Sequence, residues 1–199
     1  MITKLILPDG TTLSSGMTGQ AAILNFTYSD SVTADRELEP GACCAAMIRA
    51  DILGDAPIYS GMELEVYRDE LLLGRFAVKT IEKSGLLQTI TAYDAIINLD
   101  ADLTSWLQSR TRWPVPIGEF AAEVCEACGL YLANTPELQY DVPQFTASFV
   151  TGRQLMQWIG QAAGCFCRAD RQGRVALCWY EENPISVPYY YQGSLKFSD

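Results

Sequence analysis

The chain has 199 residues, a formal net charge of −10 from 24 acidic and 14 basic side chains, and 49% hydrophobic residues. So apolar a composition excludes a disordered chain, and so negative a balance with scattered Lys and Arg excludes sequence-specific reading of nucleic acid. The absence of histidine removes imidazole acid–base catalysis, Ser-His-Asp or Cys-His nucleophiles and His-ligated zinc.

The first half reads as β structure. Ile2 to Leu7 and Thr11 to Leu13 flank Pro8-Asp9-Gly10, a turn signal, so the chain opens on a small hairpin. Ala21 to Tyr28 follows as a strand, with Ile23, Asn25 and Thr27 on the wetter face and Leu24, Phe26 and Tyr28 opposite. Ser29 to Gly41 is polar, acidic and broken by Pro40, hence a loop. Ala42 to Ile52, with its small and apolar side chains, reads as a central strand.

A meander comes next. Met62, Leu64 and Val66 alternate with Glu63, Glu65 and Tyr67; Arg68-Asp69-Glu70 turns the chain into Leu72 to Ile81, and Glu82-Lys83-Ser84-Gly85 turns it again into Leu86 to Ala92. Strands joined by short connections indicate an antiparallel sheet, curled into a barrel because closure removes exposed edges. Asp94 stands where a helix N-cap belongs, positioned to accept hydrogen bonds from the amides of Ala95 to Ile97, ahead of a short helix over Ile96 to Asp100.

Beyond Asp100 the period becomes helical. Ile117, Phe120, Ala121, Val124, Cys125 and Cys128 fall on one stripe opposite Glu119, Glu123 and Glu126, with Pro114 and Pro116 before and Gly129 after. A second helix starts at Thr151-Gly152-Arg153-Gln154, the form of a capping box, buries Leu155, Trp158, Ile159 and Ala162, and stops at Gly164. Cys165 to Arg168 and Arg174 to Tyr180 then flank a turn at Asp170 to Gly173. The predicted fold class is α+β: a mainly antiparallel β-barrel over residues 1–100 and a small unit of two helices and a hairpin over 101–199, divided near Asp100 to Ser105.

Candidate chemistry is sparse. Cys125-x-x-Cys128 has the spacing of redox motifs and of half a zinc site, and Cys165-x-Cys167 offers two more thiols. Both members of the first pair lie on an apolar helix stripe, where cysteine behaves as a small hydrophobe, and adjacent Cys43 and Cys44 point to opposite faces of a strand. All seven cysteines are therefore read as reduced thiols, with no metal or other cofactor implied. Asp94, Asp100 and Asp102 cluster at the strand–helix junction, far in sequence from Asp141, Glu181 and Glu182; capping and solvation account for them without catalysis. The acidic helix faces read as solvated surface. Trp179, Tyr180, Tyr189, Tyr190 and Tyr191 form an aromatic group suited to an interface or a sugar platform. Tyr189 to Phe197 reads as a strand without a downstream partner. No run approaches the roughly 20 apolar residues of a membrane-spanning helix, and no secretory leader is legible.

The strand ending Ile90-Thr91-Ala92-Tyr93-Asp94 and running into Ile96-Ile97-Asn98-Leu99-Asp100 is one part of a longer order. Helix 117–129, the Thr151 to Ile159 segment, Gly164 and the hairpin around Gly173-Arg174-Val175 complete it. This order resembles the baseplate hub or tail-associated proteins of tailed bacteriophages and prophages, over roughly residues 40–180. The resemblance implies a non-enzymatic structural component of the virion tail, made in the host cytoplasm. It implies a ring, commonly a trimer, at the end of the tail tube, bound to other tail-tube or tail-tip proteins and conducting DNA without reading it. Hubs of that family usually continue into a second barrel, which nothing after Asp199 supplies, so the chain is expected to be part of a longer hub or to be completed by other subunits. The alternative expectation is a carbohydrate-binding or cell-wall-targeting module of a tail-associated hydrolase, using Tyr189 to Tyr191 as its platform.

Overall fold

Alternating burial closes the first half of the chain on itself. The computed structural model describes residues 2–16, 22–31, 40–136 and 138–179. Seven strands, β1 (Thr3–Ile6), β2 (Thr12–Ser14), β3 (Ala22–Ser29), β4 (Met47–Leu53), β5 (Glu63–Arg68), β6 (Leu71–Ser84) and β7 (Leu87–Tyr93), form a closed barrel in the order β1-β2-β3-β4-β7-β6-β5. Neighbours are antiparallel except β2 and β3, which meet in parallel at Ser14 and Ala22. The inward rows, among them Leu64 and Val66, Phe76 and Val78, Ile48, Ala50 and Ile52, and Ile90 and Ala92, fill the barrel with aliphatic and aromatic side chains. The α+β fold class with an antiparallel barrel is the observed one.

Bulges shift the alternation where the sequence reads as uniform. A register shift between Ile23 and Asn25 turns Ile23 inward and leaves Leu24 exposed, reversing the faces expected for those two residues, while Phe26 and Tyr28 still pack on the core. Another between Val78 and Thr80 ends the buried row of β6 at Val78 and puts Thr80 outside. Strand β6 also continues through Glu82 and Lys83 to Ser84, where a turn was expected, because β7 pairs with it as far as Ser84 opposite Leu87.

The expected strand over Ala42 to Ile52 begins only at Met47. Its first residues are drawn elsewhere: Cys43 makes an isolated parallel bridge to Cys167, Ala42 O accepts from Cys167 N at 2.8 Å, and Ala46 N is held by Asp94.

After β7 a 3₁₀ helix (Ala95–Asp100) leads to α1 (Thr104–Ser109), β8 (Val115–Pro116), α2 (Ile117–Ala127), β9 (Asp141–Val142), α3 (Gly152–Ala163) and the hairpin β10 (Phe166–Ala169) with β11 (Val175–Cys178). Helix α2 buries Ile117, Phe120, Ala121, Val124 and Cys125 on one stripe, as its spacing predicts. Helix α3 carries the full capping box, Thr151 Oγ1 accepting from Gln154 N while Gln154 Oε1 accepts from Thr151 N, and ends at Gly164 with φ 64°. Its buried face is Gly152, Leu155, Met156, Ile159 and Gly160, however; Trp158 is 46% exposed and Ala162 is exposed too. The packed arc is centred between Leu155 and Met156, which rotates Trp158 and Ala162 to its flank. A second core, distinct from the barrel's, joins α2, α3 and the hairpin and takes in Ile96, Leu99 and Cys43.

Candidate functional site

Two concave surfaces and one seam stand out in the described residues. The seam is built on Asp94 and Arg153. Asp94 Oδ1 accepts from Ile96 N and Oδ2 from Ala46 N, both at 3.0 Å, and its own amide donates to Ala46 O at 3.0 Å. One side chain thus caps the 3₁₀ helix, as its position predicts, and also pins the segment leading into β4, a contact 48 residues away in sequence. Burial pushes the Asp94 carboxyl up to about 6 against those two amide hydrogen bonds, which favour the charged form. Both oxygens are committed to backbone, so the group serves the fold.

Arg153 reaches from α3 across the same seam. Its guanidinium donates to Asp100 Oδ1 at 2.5 Å, to Ile96 O at 3.2 Å and to Cys43 O. The third carboxylate of the junction, Asp102, accepts from Thr104 N at 2.8 Å and opens α1. Asp141 lies exposed on β9, and Glu181 and Glu182 fall outside the described residues.

A cleft of about 880 Å³ lies between the barrel wall and the hairpin β10–β11, with Tyr28, Leu73 and Phe76 on one side and Arg171, Ala176 and Cys178 on the other. Ion pairs tie its rim: Arg168 to Asp30 at 3.0 Å, bridging hairpin and barrel, and Arg174 to Asp170 at 2.7 Å. Tyr28 Oη donates to the same Asp30 at 3.0 Å, and burial together with that carboxylate pushes the phenol well above its usual range. Tyr28, Asp30, Arg168 and Asp170 in the cleft walls are therefore already paired, whereas Arg68 and Arg171 also line it.

A smaller groove of about 190 Å³ runs along α2 and α3 between Ile117, Phe120, Val142, Phe145, Trp158 and Ile159. Behind it a chain of aromatic contacts links Trp106, Phe120, Trp113, Phe145 and Trp158, with ring centroids 5.6–6.1 Å apart. Arg110, only 10% exposed at its side chain, places its guanidinium 5.0–5.4 Å from the rings of Trp106, Trp113 and Phe120 and pairs with Glu123. Glu119 pairs with Arg112, so this part of the acidic face of α2 is tied down by ion pairs rather than simply solvated. The Trp106, Arg110, Trp113 spacing was the signal in the sequence for this cation nest, and the expected helices and hairpin do not include it. Apolar walls with few convergent hydrogen-bonding groups do not suit a sugar.

Of the aromatic group expected at an interface, Trp179 follows β11 and is 58% exposed; Tyr180, Tyr189, Tyr190 and Tyr191 lie outside the described residues, as does the strand expected over Tyr189 to Phe197. The thiols of Cys125 and Cys128 are pushed up by burial, to about 12 for Cys125, which leaves them protonated and inert. Cys43 is buried and Cys44 half-buried. Among the described residues no three Cys, Asp or Glu side chains gather as a metal site, and no helix is long and apolar enough to cross a membrane.

The closed barrel followed by this helical unit is a fold shared with two solved tail proteins, one of them from a prophage. The chain is similar to the 43 kDa tail protein of prophage MuSo2 from Shewanella oneidensis, with a TM-score of 0.62 and 13% identity over 89% of this chain and 54% of that one. It is also similar to the tail protein from Neisseria meningitidis MC58, with a TM-score of 0.60 and 11% identity over 92% of this chain and 52% of that one. The chain thus spans about half the length of either protein. No family model and no curated protein matches the sequence.

Proposed function

We propose that this chain is a structural subunit of a phage or prophage tail that assembles as a homo-oligomeric ring, a trimer, at the tail tip or baseplate. Its partners are tail-tube or tail-tip proteins, its place is the virion tail after synthesis in the host cytoplasm, and it has no enzymatic role. The observation that carries this reading is the shared fold: the likeness to the MuSo2 tail protein extends over 89% of the chain, barrel and helical unit together. The chemistry of the site agrees with it. Asp94, Asp100 and Asp102 are each engaged by backbone amides or by Arg153, which is how carboxylates serve a scaffold. A net charge of −10 also lets a ring pass DNA by repulsion rather than hold it.

Co-expression with the tail-tube and tail-tip proteins encoded beside it, followed by gel filtration with light scattering, tests the proposal. A species of three copies that co-migrates with a tube or tip protein is expected. A monomer at every concentration that retains none of those proteins overturns it, and clearing of a peptidoglycan zymogram by the purified chain overturns the non-enzymatic part.

A further inference from the structure

Two of the seven cysteines differ from the rest. Cys43 and Cys167 are partners in an isolated parallel bridge, and Cys167 N donates to Ala42 O at 2.8 Å beside them. Paired strands run about 4.7–4.9 Å apart, inside the range of about 4.4–6.8 Å between Cα atoms that a disulfide spans. Both side chains are buried, at 4% and 3% exposure, and the Cys167 thiol donates to Met156 O at 3.6 Å. Arg153 lies against Cys43 and donates to its carbonyl.

This surrounding divides the two sulfurs by role. The neighbouring Cys167 thiol, helped by the Arg153 charge, holds the Cys43 thiol below its ordinary value despite burial, whereas the Cys43 neighbour and burial push Cys167 up. Two adjacent thiols of unequal acidity are the layout in which one sulfur attacks an oxidant and the other resolves the product. Cys44, Cys125, Cys128 and Cys165 are all pushed up, chiefly by burial, and have no such asymmetry.

We propose that Cys43 and Cys167 are an oxidative cross-linking site that takes a small-molecule disulfide as its oxidant and staples the segment leading into β4 to the hairpin β10–β11. Cys43 Sγ attacks one sulfur of the small disulfide; the first small thiolate leaves with the proton Cys43 gave up. Cys167 Sγ then attacks Cys43 Sγ in the mixed disulfide, and the second small thiolate leaves with the Cys167 proton. Two protein thiols are oxidised to one disulfide and one small disulfide is reduced to two thiols. The loop so closed is longer than about 100 residues, the regime in which a cross-link most constrains the unfolded chain. A protein made with reduced thiols thereby gains a lock once it meets an oxidising medium.

The test is a non-reducing peptide map of the full chain after incubation with glutathione disulfide, repeated after refolding from urea in a glutathione redox pair so that burial does not limit access. A fragment-ion-assigned Cys43–Cys167 link is expected, persisting in Cys44→Ser and Cys165→Ser. It should come with a melting temperature about 5–10 °C higher that dithiothreitol reverses. Both thiols still free to alkylate after oxidative refolding, or the same dithiothreitol-reversible rise in melting temperature in Cys43→Ser or Cys167→Ser, overturns the proposal. Should either variant fail to fold, the fragment ions of the unsubstituted chain decide alone.

Discussion

Asp94 shows how one residue can be read correctly from its position and still act more widely than the position tells. A cap accepts from the amides just ahead of it, and Asp94 accepts from Ile96 N; its second oxygen, on Ala46 N, is a tertiary contact that no local pattern announces. Burial raises its carboxyl from 3.8 unfolded to about 6 folded, so between those values the folded chain binds the proton that the unfolded chain has lost. The stability Asp94 contributes is therefore greatest below about pH 4, falls as pH rises through 6 and is level above it, a change of about 3 kcal/mol. Asp9, Asp51 and Asp102, held low by hydrogen bonds, slope the other way, so the comparison must be with a variant lacking only this titration. Asp94→Asn keeps one acceptor and loses the proton. Urea unfolding at pH 4 to 7 should show the unsubstituted chain losing about 3 kcal/mol relative to Asp94→Asn as pH rises, and an opposite slope would mean that the charged cap is the favoured form.

At the scale of elements, what was legible is what local chemistry dictates. The Thr151 capping box, Gly164 as a left-handed stop, the α2 stripe and the β5 alternation all follow from spacing within a dozen residues. The β-bulges, the late start of β4, the six-residue α1 and the two-residue strands β8 and β9 do not, because each is settled by a partner distant in sequence or is too short to show a period. Gly160 illustrates the limit. In an exposed helix Ala in place of Gly gains about 1 kcal/mol, yet a Cβ at Gly160 meets Cys165 O at 2.9 Å and Gly41 Cα at 3.0 Å, both backbone atoms that cannot swing aside. Gly41, with φ 87° and its amide on Cys165 O at 2.7 Å, is itself fixed in that contact. The clash outweighs the propensity: Gly160→Ala should destabilise by about 1–2 kcal/mol in a thermal or urea melt, and a stabilised variant would show that α3 and the Gly41 loop are not in contact.

For the molecule as a whole, the question is whether barrel and helical unit unfold together. Their cores are separate clusters, but the helical core takes in Cys43, Ile96 and Leu99 from the barrel side of the chain; Arg153 ties α3 to Cys43, Ile96 and Asp100, and the Arg168–Asp30 pair bridges hairpin and barrel. All four tryptophans, Trp106, Trp113, Trp158 and Trp179, lie after the barrel strands, so fluorescence reports the helical unit while the β-sheet component of the amide-I infrared band is weighted to the barrel. Coupling through the seam predicts coincident transitions from the two probes. Arg153→Ala strips the donor from Ile96 O and Cys43 O and leaves Asp100 unpaired, which costs about 2–4 kcal/mol at the seam alone. The fluorescence midpoint should then fall below the infrared midpoint. Lysine at the same position restores the charge but not the fork that reaches two carbonyls and a carboxylate, so Arg153→Lys should separate the midpoints nearly as far. Midpoints that stay coincident in Arg153→Ala would mean that packing of Ile96 and Leu99 into the helical core, rather than the guanidinium, makes the two units one cooperative body.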